Sequence, residues 1–146
     1  MDDGRAPLTK LTNSLYRCTQ AYCNEVLEKY SLGSGTYPFL LTLFIKEGIN
    51  QNQISKELNV DKAMSARAIK KLIALGYLKK EEDQKDSRAY KLYLTETAKT
   101  ILPSVKEELR IWNEMITKDL SEQELEKTID LLSKVLKNAI SYKNKW

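Results

Sequence analysis

The chain of 146 residues is long enough for one domain, or two that share a core, and its 42% hydrophobic content, five glycines and three prolines suit a helix-rich globular protein. It contains no histidine, which removes the commonest general base and metal ligand, and its glycines are scattered rather than gathered into a phosphate loop, so hydrolase and metalloenzyme readings lose their support and neither catalysis nor a cofactor is expected. The formal charge of +4 is concentrated in one window, because residues 50–95 hold ten Lys/Arg against six Asp/Glu while the remainder holds fourteen of each.

The first helix is expected from Leu8 to about Tyr30, where Leu8, Leu11, Leu15, Tyr22, Val26 and Leu27 recur at helical spacing. Cys18 and Cys23 fall on different faces of it, too far apart in angle to bridge each other, so both thiols are expected reduced and unpaired. Ser31-Leu32-Gly33-Ser34-Gly35 ends this helix. Thr36 is placed to cap the next, with Pro38 tolerated in its first turn and a body of Phe39, Leu40, Leu41, Leu43, Phe44 and Ile45 that is apolar all round and belongs in the middle of the fold. Gly48 closes it.

Asn50 to Leu58 reads as a short helix, Asn59-Val60 as a turn, and Asp61 as the N-cap of a helix reaching Leu75. Along that helix Ser65, Ala68, Ile69, Leu72 and Ile73 share an inward side, while Lys62, Ala63, Ala66, Arg67 and Lys70 share an outward one. Gly76 supplies a left-handed stop. The runs Tyr77 to Glu82 and Arg88 to Leu94 then flank a tight polar turn at Asp83-Gln84-Lys85-Asp86, and the period of two in Tyr90, Leu92 and Leu94 marks a half-exposed strand. Thr95 caps a long helix to about Lys118, and Ser121 with Glu124 forms a capping box for the last one.

The last two helices carry stripes of Ile101, Val105, Leu109, Trp112 and Ile116, and of Leu125, Ile129, Leu132, Leu136 and Ile140. Either an intramolecular bundle or a second copy of the chain covers them, and a two-fold homodimer is the expectation. No apolar run approaches the roughly 20 residues needed to span a bilayer. Met1-Asp2-Asp3-Gly4 is acidic where a secretory signal is basic and then apolar, so a cytoplasmic protein with no membrane partner is expected.

The order helix, turn, helix, charged hairpin, lying in the basic window, resembles the MarR family of bacterial and archaeal transcriptional regulators. The residues that carry the likeness are the wing signature Asp86-Ser87-Arg88 followed by Leu94-Thr95, the segment Asp61-Lys62-Ala63-Met64-Ser65-Ala66-Arg67, and Lys71-Leu72 with Leu75-Gly76-Tyr77-Leu78. The resemblance implies a mainly α fold with a small two-stranded β-wing: a winged helix-turn-helix DNA-binding region over residues 34–95, and a helical dimerisation region over 8–30 and 96–146. It also implies a homodimeric repressor released by an aromatic effector or an oxidant. Ala98 stands where the family often has glycine, and Thr12 where redox-sensing members carry a reactive thiol.

On this reading Lys62, Ala63, Met64, Ala66, Arg67 and Lys70 form the surface that enters a major groove of double-stranded DNA. Arg67 is the candidate base reader, since its planar fork makes two hydrogen bonds to guanine where lysine cannot, with contact to a phosphate or a neighbouring carboxylate as the alternative. Arg88 reaches the adjacent minor groove, oriented by Asp86, while Lys85 and Ser87 bind phosphate. Asn50, Gln51 and Asn52, at a helix start, donate to the DNA backbone or simply cap their helix. Lys79-Lys80, followed at once by Glu81-Glu82-Asp83, reads as a solvated strand. An effector would lie between the dimer helices and the winged helix, against Tyr16, Arg17, Tyr37 and Phe39, residues that equally suit a core. A winged-helix adaptor that binds protein instead of DNA is the alternative function, kept open by Glu81, Glu82 and Asp83.

Overall fold

The computed structural model of the chain describes residues 4–85 and 90–144. Helix α1 (Leu8–Val26) leads through a 3₁₀ turn (Glu28–Tyr30) to α2 (Tyr37–Ile45), α3 (Gln51–Leu58) and α4 (Lys62–Ala74). The antiparallel strands β1 (Leu78–Glu82) and β2 (Tyr90–Leu94) follow, then α5 (Glu96–Ile116) and α6 (Glu122–Lys143). The fold is mainly α with a two-stranded wing, as the sequence implied. The chain divides into two compact units, residues 1–109 and 110–146.

The first unit holds a core in which Cys23, Leu27, Leu40, Leu43, Ile54, Leu72, Leu102 and Val105 are inaccessible to solvent. It therefore joins α1 and the first half of α5 to the winged-helix elements. Leu92 and Leu94 of β2 are each 2% exposed. Burying two leucines contributes about 1.5–3 kcal/mol apiece, which matters because a hairpin is marginal by itself.

The first helix stops at Val26, four residues short of expectation, because a 3₁₀ turn takes over before Ser31 adopts a left-handed conformation at φ 59°. Thr36 does precede α2, but its side chain makes no cap bond. The hydroxyl turns back to Gly33 instead, accepting from its N–H at 3.0 Å, and the side chain is buried in that turn. Nor is α2 buried all round. The core covers the side carrying Phe39, Leu40 and Leu43, whereas Phe44 and Ile45 are 49% and 84% exposed on the last turn. The Lys106 ammonium lies 3.2 Å from the centre of the Phe44 ring, a cation–π contact that covers part of it.

The remaining caps follow the sequence. Asn50 and Gln53 form a capping box at α3, Asp61 caps α4, and Ser121 with Glu124 forms the second box at α6. Gly76, at φ +82°, ends α4 with the Tyr77 N–H donating to Leu72 O and its own N–H to Ile73 O, the paired bonds of a Schellman stop.

A further connection was not legible in the sequence. Gly48 does not end α2 directly, since that helix stops at Ile45. Its N–H donates to Leu92 O, and Leu92 N–H donates to Ile49 O, each at 2.9 Å, so that Ile49 bridges β2 from the side opposite β1. In the second unit, α6 leaves Ile129 and Leu136 56% and 53% exposed. Among the described residues, no helix is long and apolar enough to cross a membrane.

Candidate nucleic-acid interface

Helix α4 is amphipathic in the way a groove-reading helix must be. Ser65, Ala68, Ile69 and Leu72 are buried, while Lys62, Ala63, Met64, Ala66, Arg67 and Lys70 are all exposed. The apolar side is held by the core, and these six exposed side chains form a solvent-facing strip that carries three cations and no carboxylate. Met64 is 43% exposed although apolar, and Ala63 and Ala66 keep the strip low enough for close approach.

The start of α4 is set by Asp61, whose Oδ1 accepts from Met64 N–H at 2.7 Å. A carboxylate there satisfies a free donor and complements the helix dipole. Its neighbour α3 begins beside it: the Gln51 Nε2 donates to Lys62 O at 3.4 Å, tying the α3 start to the first turn of α4. Asn50 spends its Oδ1 on Gln53 N–H at 2.9 Å and its backbone N–H on Gln53 Oε1 at 2.8 Å. The cap role weighed for Asn50 is therefore present, while Asn52 is exposed on the same turn.

The wing is rooted on the far end of α4. Thr95 Oγ1 donates to Gly76 O at 2.6 Å and accepts from Ala98 N–H at 3.2 Å, and Thr95 N–H donates to Tyr77 O at 3.1 Å. One residue thus joins the α4 stop, the base of the hairpin and the start of α5. The described strand pairing runs from Leu78 opposite Leu94 to Glu82 opposite Tyr90. Beyond it, Lys85 N–H donates to the Asp83 carboxylate at 2.9 Å, a local turn bond. Asp86, Ser87 and Arg88 lie outside the described residues. Lys80 sits 5.4 Å from the Tyr90 ring centre, so that lysine is engaged by the strand beside it. A cleft of about 290 Å³ opens on the wing, lined by Glu81, Glu82, Asp83, Lys85, Lys91 and Tyr93 among others, a mixed-charge wall that favours neither anion nor cation.

The four residues weighed for an effector site are not equivalent. Phe39 is 2% exposed and packed in the core, whereas Tyr16 is 61% exposed with its hydroxyl accepting from Gln20 Nε2 at 3.1 Å. Arg17 is exposed on α1 and Tyr37 half-buried on α2. Burial, followed by the Cys23 thiol, pushes the Tyr37 phenol up to about 12. Burial also raises Cys23, and a protonated, enclosed thiol is a poor nucleophile, while Cys18 is exposed and unpaired. Sequence reasoning missed the contact between Tyr37 and Cys23, because nothing local couples two residues on different helices. Among the described residues, no group of three His, Cys, Asp or Glu side chains is placed to hold a metal ion.

Comparison with known proteins agrees with this geometry. The family model described as transcriptional regulator SarA/Rot matches residues 21–105, more than half of the chain. A MarR transcriptional regulator from Methanosarcina mazei superposes with a TM-score of 0.87 at 34% identity, covering 92% of this chain and 97% of that one. The chain belongs to the MarR and SarA/Rot family of transcriptional regulators. The HTH-type transcriptional regulator BilQ of Clostridioides difficile is 30% identical to this family member over 84% of the chain and 82% of its own length. A MarR-family regulator from Listeria monocytogenes, complexed with a 26mer DNA, shares the fold at a TM-score of 0.87 and 23% identity, over 92% of this chain and 89% of its own. This regulator is a DNA-binding protein of the winged helix-turn-helix kind, and α3, α4 and the β1–β2 hairpin are its motif.

Proposed function

We propose that the chain acts as a homodimeric repressor that binds a pseudo-palindromic operator, α4 of each copy lying in a major groove and each wing in the neighbouring minor groove. The observation that carries this is the α4 strip, in which Lys62, Arg67 and Lys70 are exposed around small or flexible Ala63, Met64 and Ala66 on a helix whose other side is locked in the core. Arg67 reads a guanine edge by two hydrogen bonds, and such a pair is worth about 1–3 kcal/mol of discrimination. Lys62 and Lys70 neutralise phosphates. Arg88 enters the minor groove with Asp86 orienting it, and Lys85 and Ser87 hold the flanking backbone. The Gln51 and Asn52 side chains at the start of α3 lie on the turn next to α4, and they contact the DNA backbone.

Dimerisation is supported by the exposed apolar residues of the terminal helices, among them Leu8, Leu11 and Leu15 on α1 and Ile129, Leu132 and Leu136 on α6. Scattered exposed leucines are ordinary, but stripes at helical spacing are a surface that asks to be covered. Two copies joined there present two α4 strips to half-sites about 10 base pairs apart. Release follows when a small aromatic effector, bound near Tyr16, Arg17 and Tyr37, favours an angle between the two winged helices that misfits successive grooves. That a regulator of the same fold is complexed with a 26mer DNA supports duplex DNA as the partner.

The test is binding to the DNA upstream of the protein's own reading frame over a salt series, with the oligomeric state measured alongside. Arg67→Ala is expected to relax base preference and Arg88→Ala to weaken binding strongly. If neither variant alters DNA affinity, the reading is wrong and a protein-binding adaptor built around Glu81, Glu82 and Asp83 takes its place.

A further inference from the structure

The contact between α3 and α4 contains a polar pair where helix contacts are ordinarily apolar. Ser65 is inaccessible to solvent and Ser55 is 6% exposed, and their hydroxyl oxygens lie 2.6 Å apart. Ser55 Oγ also lies 2.8 Å from Gln51 O, to which it donates. A serine hydroxyl has one hydrogen, and Ser55 has spent its own on that carbonyl, so Ser65 must be the donor between the two. The result is a directed chain from the Ser65 hydroxyl to Ser55 Oγ and from the Ser55 hydroxyl to Gln51 O, crossing from the reading helix to its support. The long bond from Gln51 Nε2 to Lys62 O closes a second link between the same two helices.

From this geometry we infer that Ser55 and Ser65 are positioning residues for DNA reading, fixing the angle and depth at which α4 is presented. Apolar packing resists separation of two helices but resists sliding and rotation only through shape. A buried hydroxyl-to-hydroxyl bond adds a directional restraint, undiluted because no water competes for it. Ser65 lies between Met64 and Ala66 and two residues before Arg67, so any drift at Ser65 is passed directly to the exposed strip. Two simultaneous hydrogen bonds to one base edge tolerate little such drift, whereas lysines meeting phosphates tolerate more. The pair should therefore affect which sequence is bound more than whether DNA is bound.

This inference rests on the proposed reading of DNA by α4, and the experiment separates the two. Ser55→Ala, Ser65→Ala, the double variant and Arg67→Ala are compared for affinity to a duplex enriched from a randomised pool and to unselected random duplex, at several salt concentrations. Thermal melting of each variant confirms folding before binding is measured. The expected result is an about three- to tenfold loss of preference for the enriched duplex in each serine variant, the range one net hydrogen bond supports. Affinity for random duplex and its salt slope should stay unchanged, and the double variant should lose little beyond either single one, since both singles break the same chain.

Equal weakening toward both duplexes, full retention of preference, or simple addition of the two losses would each overturn the positioning role. Loss of preference in Arg67→Ala but not in the serine variants removes only this inference. Retention in Arg67→Ala as well removes the reading of α4 on which it stands. Should Ser65→Ala fail to fold, Ser55→Ala carries the same comparison, because it leaves the Ser65 hydroxyl free to turn onto the Asp61 carbonyl one turn back.

Discussion

Replacing Thr95 with valine keeps the shape of the side chain and removes its hydroxyl, which ties the end of α4 to the start of α5. Two bonds disappear: the one to Gly76 O at 2.6 Å and the cap on Ala98 N–H at 3.2 Å. The backbone bond from Thr95 N–H to Tyr77 O at 3.1 Å is untouched. Loss of an N-cap costs about 1 kcal/mol. Loss of the second bond adds at most about 1 kcal/mol, since Gly76 is exposed and its carbonyl can be rehydrated. The sum, about 1–2 kcal/mol, lowers the melting temperature by about 3–7 °C for a chain of this length. The assay is thermal unfolding followed by circular dichroism at fixed protein concentration, with Thr95→Ser, which keeps both bonds, as the control. A Thr95→Val protein that melts with the wild type, or a Thr95→Ser protein that falls as far as the valine variant, would show that the hydroxyl does not tie the wing root to α4.

Gly48→Ala places a β-carbon on a backbone at φ +80° and within 3.3 Å of the Tyr93 hydroxyl, so a stability loss of about 1–2 kcal/mol is expected in chemical denaturation, partly relieved in a Gly48→Ala, Tyr93→Phe double variant. The Ser121 backbone and hydroxyl hold the Glu124 carboxyl below its ordinary 4.5, which makes its contribution present above that value and lost as pH falls through the lower folded one. The melting temperatures of wild type and Glu124→Gln should therefore differ at neutral pH and converge in acid. Lys62→Ala and Lys70→Ala, both on the exposed α4 strip, are each expected to reduce the slope of log affinity against log salt by about one while leaving base preference intact, which a salt titration on matched and random duplex would check.

The features legible in the sequence were those set by neighbours a few residues away. Asp61, Ser121 with Glu124, Gly76 and Thr95 all act within one helical turn of their position, and each caps or stops its helix as its type and spacing imply. The two sides of α4 were legible for the same reason, since the helical period alone separates Ser65, Ala68, Ile69 and Leu72 from the exposed cations. What escaped was decided by distant partners. Thr36 has the right type for a cap, but a tight turn with Gly33 competes for its hydroxyl and wins. Phe44 and Ile45 look like core from composition, yet the rotation of α2 turns them away from it. Ser65 could be assigned to the inner side, but not to Ser55, because residues on separate helices meet only once α3 and α4 are packed. The proposed contact residues were found by type and exposure, whereas the restraints that aim them were not.

The bridge at Ile49 bears on solubility as well as shape. A two-stranded ribbon leaves unpaired backbone along both outer margins, and such margins invite strands from other molecules. At Leu92 the margin of β2 is already taken, its N–H and C=O being spent on Ile49 and Gly48. A substitution that frees that segment would therefore open a template for self-association, with clumping during expression as its first sign rather than lost gene control.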